Sequence, residues 1–146
     1  MTKIQVAPQT ESIYLTFKDG WHLAEIASDN AASEWHWTKK EATLSFKNPK
    51  RNAVFYLDYG AQPQVMSEPQ TVTVSVGTEV VDTFPIGRTG EVRRIPLSVT
   101  QLGVGEQVEL RLSLDRTFIP AEVTAGAQPD KRELGLCVFH AFVEAR

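Results

Sequence analysis

The chain has 146 residues, 42% hydrophobic and 23% charged, with 15 Lys and Arg against 18 Asp and Glu. That length suits one domain able to bury on the order of 70% of its unfolded surface without metals or disulfides. The net charge of −3 excludes the global basic excess of a dedicated nucleic-acid binder, and a single cysteine, Cys137, excludes an internal disulfide or a cysteine-rich zinc site.

Period-2 alternation dominates, and it predicts strands. In chain order the candidates begin with Ser12–Phe17, Gly20–Ile26 and Glu34–Thr38, with room for one short turn in Glu25–Ser33. Ala42, Leu44 and Phe46 then alternate with Thr43, Ser45 and Lys47, and Asn48-Pro49 breaks the run. Val54–Tyr59 follows, then a turn-rich stretch from Gly60 to Pro69, then Val72, Val74 and Val76 alternating with polar residues. Gly77-Thr78 predicts a type II′ hairpin into Glu79–Phe84, since glycine supplies the positive φ that this turn needs first. After Gly87 to Gly90 come Val92–Leu97, a break at Leu102 to Glu106, and Val108, Leu110, Leu112 and Leu114 in alternation. A long segment from Pro120 to Gly135 leads into Leu136–Glu144, apolar on nearly both faces as a covered central strand would be. Helical spacing is convincing nowhere. Eight to ten short strands separated by turns predict one all-β domain over residues 1–146, an antiparallel β-sandwich.

No stretch reaches the ~18–20 apolar residues of a membrane span, and the first ten residues lack the apolar block of a secretory signal. A complete chain of this kind would be cytoplasmic. A module cut from a longer chain would belong at the cell surface or in the periplasm, beside a partner domain.

Few residues suggest catalysis. Cys137 sits among Leu136, Val138 and Phe139 with no adjacent cation, which predicts a buried, inert thiol. No Gly-x-Ser-x-Gly turn, phosphate loop or dinucleotide fingerprint occurs, and His22, His36 and His140 form no metal-ligand pair. Glu25, Glu34, Asp58, Asp115, Asp130 and Glu133 fall near strand ends or loops, where two could flank a sugar ring. Their spacing selects no pair, and acidic residues there commonly serve solvation and turns.

The tryptophans carry more information. Trp35 and Trp37 are two apart, so on a strand both face the same way and His36 the other. With Trp21 on a neighbouring strand they could form a platform for sugar rings, whose C–H groups meet the π-face; alternatively the indoles plug one end of the core. Lys39, Lys40, Lys47, Lys50 and Arg51, offset by Glu41, could make a positive patch beside them, although a solvated face is the simpler reading. Arg132, two residues after Asp130, offers a fork of donors close to a carboxylate, able to clamp ligand hydroxyls or to pin a loop. The Asp115–Ala121 loop is its expected companion.

These pieces recur in an order that carries a resemblance. Gly20-Trp21-His22 with Glu25, Trp35-His36-Trp37-Thr38, Ala42-x-Leu44, Asn48-Pro49, Val72–Gly77, Asp115-x-Thr117-Phe118-x-Pro120 and Asp130-x-Arg132-x-Leu134-Gly135-Leu136-x-Val138 follow one another. The pattern resembles a bacterial β-sandwich module appended to glycosyltransferases and membrane proteins of cell-surface polysaccharide assembly. More distantly it is similar to jelly-roll, galactose-binding-like carbohydrate-binding modules. The resemblance implies a non-catalytic domain that recognises an oligosaccharide or polysaccharide through Trp21, Glu25, Trp35, Trp37, Asp130 and Arg132. It implies no cofactor beyond a structural calcium, for which Asp115, Asp130 or Glu144 could serve. No nucleic acid and no direct membrane insertion are expected. The alternatives are a structural or protein-interaction domain with the tryptophans in its core, and a small glycoside hydrolase or lyase.

Overall fold

The computed structural model describes residues 11–27, 33–64 and 66–146. Among these are eleven strands and two one-turn helices. One sheet contains β1 (Glu11–Ile13), β3 (Glu25–Ile26), β4 (Glu34–Trp37), β6 (Ala53–Tyr59), β9 (Glu91–Leu97) and β11 (Cys137–Ala145). Its order is β3-β4-β11-β6-β9, with β1 also pairing β11. The other contains β2 (Thr16–Phe17), β5 (Glu41–Lys47), β7 (Thr71–Val76), β8 (Glu79–Pro85) and β10 (Gln107–Leu114), in the order β2-β5-β10-β7-β8. Every pairing is antiparallel, and the chain changes sheet at most connections, as in a jelly roll. The expected β-sandwich is the fold.

Alternation explains the core. Leu44 and Phe46 of β5, Val72 and Val74 of β7 and Leu110 and Leu112 of β10 point inward and meet Phe55 and Leu57 of β6, Ile95 and Leu97 of β9 and Val143 of β11. Each such side chain, fully removed from water, contributes roughly 1.5–3 kcal/mol before entropy is counted. The residues between them on β5, β7 and β10 are Thr, Ser, Glu and Arg, so the outer face of these three strands is polar.

Four details depart from the sequence expectations. Ser12–Phe17 is not one strand: Tyr14-Leu15 carries the chain from β1 in one sheet to β2 in the other. Gly20–Ile26 is mostly irregular, with an isolated bridge from Trp21 to Thr38 before β3 begins at Glu25. The short turn expected in Glu25–Ser33 gives way to that strand at its start, and residues 28–32 lie outside the described residues. The two helical turns, α1 (Val99–Leu102) and α2 (Pro120–Val123), were not expected. Each nonetheless has a sequence signal. Ser98 and Gln101 form a capping box around α1, and Pro120 opens α2, where its missing N–H costs nothing.

The Gly77-Thr78 turn is as expected: Gly77 has φ 59° and Thr78 does not share a positive φ, the type II′ pattern. Strand β11 is central, but its outer face is open. Phe139 and Phe142 are 41% and 38% exposed. A register shift between Val138 and His140 adds the extra residue that lets Val138 and Val143, an odd number apart, both point inward. Across the two outermost strands, Arg93 of β9 donates to both carboxylate oxygens of Asp82 on β8, at 2.6 and 3.1 Å, and its guanidinium lies 4.2 Å from the Phe84 ring centroid. Proline ends β8 at Pro85 and interrupts the donors of β9 at Pro96.

Candidate functional site

Strand β4 divides its aromatic residues between two faces. His36 pairs with Val138 and packs inward, its ring 4.7 Å from Phe17 and 6.2 Å from Trp21. Trp21 stacks on Phe17 at 4.4 Å, donates from Nε1 to the Thr43 carbonyl at 2.8 Å, and packs against the core. Trp21 is therefore the plug that the core reading anticipates, and it stands apart from the other two indoles. Trp35 and Trp37 face outward together, and with them the structure assembles Glu25, Asp130 and Arg132 around one cleft of about 580 Å³.

Each of these residues has a local reason for its place. Glu25 lies opposite Trp35 in the β3–β4 register, so the two share a face, and Trp35 Nε1 donates to Glu25 Oε2 at 2.7 Å. Asp130 and Arg132 arrive from the long segment before β11. That segment is held down by Ala121 N–H donating to the Asp130 carbonyl at 2.8 Å and by the Phe118–Leu134 bridge. Arg132 then donates from Nε to Asp130 Oδ1 at 3.0 Å and from Nη2 to Asp130 Oδ2 at 2.7 Å, and its backbone N–H caps Asp130 Oδ1 at 3.0 Å. The same Nη2 reaches Glu25 Oε1 at 3.0 Å. Arg132 thus both pins its loop and joins it to β3.

The electrostatics follow. The hydrogen bonds from Arg132, side chain first and backbone second, pull Asp130 down to about 2, and the paired Asp130 carboxylate in turn raises Arg132. Burial pushes the Cys137 thiol, which lines the cleft, up to about 12. The side chain is half-buried rather than fully buried as its apolar neighbours suggest, and the raised pKa leaves little thiolate at neutral pH.

Sequence reasoning missed the rest of the lining. Phe118, whose ring meets Trp37 edge-on at 5.6 Å, and Phe139, Pro63, Pro120 and Gln128 complete the walls. Phe118 and Pro120 belong to the Asp115–Ala121 loop expected beside Arg132, although nothing in the sequence singles out their side chains. Phe139 had a signal, an aromatic residue on the outward register of a doubly apolar strand. Its ring lies against Gly60, where an added Cβ would be 3.3 Å from the ring, so a glycine is what lets the ring settle there. Among the described residues, Trp37 Nε1, Arg132 Nη1 and the side-chain amide of Gln128 have no protein partner, while the Gln128 backbone N–H donates to Thr124 Oγ1. The cleft therefore presents an aromatic floor with a few convergent polar groups, the usual chemistry of a small-molecule site.

The other sequence candidates fall elsewhere. Asp115 accepts from Thr71 N–H at 2.7 Å and pairs with Arg116, which also reaches Glu68. Glu133 offers its carbonyl, not its carboxylate, to His22 Nε2 at 2.7 Å. The basic cluster is not one patch: Lys39 and Lys40 precede β5 while Lys47 ends it and Lys50 and Arg51 follow, about 20 Å away along the strand. Lys50 is also paired with Glu106. No group of three or more His, Cys, Asp or Glu converges among the described residues. Asp115, Asp130 and Glu144 each face an arginine.

No protein family matches the chain, and no curated protein sequence does. Among solved structures, the sandwich is similar to part of BtGH115A, a family GH115 4-O-methyl-alpha-glucuronidase described as having specificity for decorated arabinogalactans. The TM-score is 0.59 at 16% identity, over 98% of this chain and 19% of that one. The likeness is one of fold. This chain spans a minor part of that enzyme's length.

Proposed function

We propose that the chain is a non-catalytic carbohydrate-binding module, with Trp35 and Trp37 stacking on sugar and the Glu25–Arg132–Asp130 network holding hydroxyls. The observation that carries this reading is the convergence of the two indoles and that network on one open cleft, brought together from β3, β4 and the loop before β11. The carboxylates accept from hydroxyls, while Arg132 Nη1, Trp37 Nε1 and Gln128 donate to sugar oxygens. A fold shared with part of a carbohydrate-active enzyme supports the assignment of the same ligand class here.

The chemistry of the cleft favours binding over hydrolysis. A glycosidase needs one carboxyl group that keeps its proton near neutral pH. Asp130, held at about 2, cannot supply that proton, and both cleft carboxylates share a single guanidinium nitrogen. The test is a glycan array followed by titration of tryptophan emission with each hit. Binding should change the emission, and Trp37→Ala should abolish binding while the circular dichroism spectrum stays unchanged. Emission unmoved by every glycan on the array would overturn the reading. Release of reducing ends from an oligosaccharide panel with added calcium would overturn its non-catalytic part.

A further inference from the structure

The two outer faces of the sandwich are unlike. On the β2-β5-β10-β7-β8 sheet, β5, β10 and β7 present mainly Thr, Ser, Glu and Arg, with Val80 of β8 beside them, whereas the other sheet presents aromatic residues from the cleft onward along β11. Cys137 pairs with Trp37 at the cleft, and Phe142 stands five residues further along the strand, about 15 Å away. Between them the register shift turns Phe139 and His140 both to solvent. Phe142 stacks on Tyr56 of the neighbouring strand at 4.6 Å and 11°, and the Arg94 guanidinium lies 5.8 Å from the Tyr56 ring centroid. His140 and Asp58 are opposite each other in the β11–β6 register, and among the described residues neither side chain has a protein hydrogen-bond partner.

We infer that this face continues the cleft as a track for a linear, hydroxyl-rich glycan chain, with Phe139 and the Tyr56–Phe142 pair as successive contact positions and His140 and Asp58 as the polar groups between them. The inference rests on the carbohydrate reading of the cleft. Continuity with that cleft, which Cys137 and Phe139 both line, and the alternation of ring surfaces with unpaired polar groups favour a sugar chain. A bulge that turns two consecutive side chains to one face is also a common device beside binding sites. The chain would be read along its length rather than at one terminus.

Calorimetric titration with xylo-, cello- and galacto-oligosaccharides of two to six units tests this in the intact protein. The series that binds should gain roughly tenfold in affinity from disaccharide to hexasaccharide. Phe142→Ala should remove most of that gain and leave disaccharide affinity unchanged, and Asp58→Asn with His140→Ala, which remove no core packing, should reduce it. A disaccharide that binds as tightly as a hexasaccharide, or hexasaccharide affinity indifferent to all these changes, overturns the track and leaves the cleft reading standing. Binding by no oligosaccharide and no polymer overturns both. Dimerisation at micromolar concentration that Phe142→Ala abolishes would assign the face to a second copy and overturn the track.

Discussion

Glu25 and Arg132 are 107 positions apart in the chain, yet Arg132 Nη2 stands 3.0 Å from Glu25 Oε1 and ties β3 to the loop that enters β11. The same nitrogen serves Asp130, so one guanidinium holds two separate pieces of backbone around the cleft. Arg132→Lys keeps the charge but loses the fork and should cost about 1 kcal/mol in urea unfolding, the low end for charge-assisted bonds because the site is partly exposed. A double-mutant cycle with Glu25→Gln should give a coupling of about 0.5 kcal/mol or more. A coupling indistinguishable from zero would dissolve the link between β3 and the loop.

Acid should loosen the same network. Asp130 lies at about 2 in the folded chain, below its ordinary 3.8, so between those values the unfolded chain binds the extra proton. Its stabilisation is complete above about pH 4 and is lost as pH falls through about 2. Unfolding free energy measured from pH 5 to pH 2 should fall less steeply in Asp130→Asn than in the wild type. Parallel slopes would count against the pairing.

The tryptophans should separate by function. Trp21→Ala removes a ring packed on the core and should destabilise the fold by about 3 kcal/mol. Trp21→Phe retains most of that packing, loses the bond to the Thr43 carbonyl, and should cost about 1 kcal/mol. Neither change should alter glycan affinity in protein that remains folded, whereas Trp37→Ala should. Thermal melts beside glycan titrations of the three variants decide the matter.

Gly20 has φ +83°, and a Cβ there would sit 1.8 Å from the Glu41 carbonyl oxygen. Gly20→Ala should therefore cost more than about 3 kcal/mol or prevent folding. Gly77 also has a positive φ, +59°, but faces open space, and Gly77→Ala should cost only about 1–2 kcal/mol. Similar midpoints for the two variants in chemical denaturation would refute the contact at Gly20.

With its thiol pushed up to about 12 by burial, Cys137 should alkylate slowly. At pH 8 the folded protein should react with iodoacetamide at least about a hundredfold more slowly than the protein in urea. Equal rates would place the thiol in solvent.

The sandwich was legible because most of its strands have a wet face: Thr71–Val76 and Gln107–Leu114 alternate cleanly, and the alternation is what the core uses. Strand β11 was harder, since Phe139 and Phe142 make its outer side apolar, and an exposed aromatic face reads like a covered one. The two helical turns are too short to show a period, and only their caps could have announced them. That Trp35 and Trp37 share a face was legible from spacing alone and the Asp130–Arg132 pair from adjacency, whereas spacing leaves undecided whether that face is open or packed in the core. The separation of Trp21 was not legible, because it depends on the bridge from Trp21 to Thr38, which sends its indole to the His36 side of β4. The basic cluster is divided for a related reason: nearness in sequence spans a full strand in space.

The Arg93–Asp82 pair has one more consequence, at high concentration. It clasps the outermost strands of the two sheets together, with a charged group where an incoming strand from another molecule would have to lie. Pro85 and Pro96 withhold amide donors along the same border. Guarded in this way, the β8–β9 border is a poor template for ribbon-like stacking of copies. The aromatic surface can thus stay open to solvent without that margin becoming a seed for aggregation.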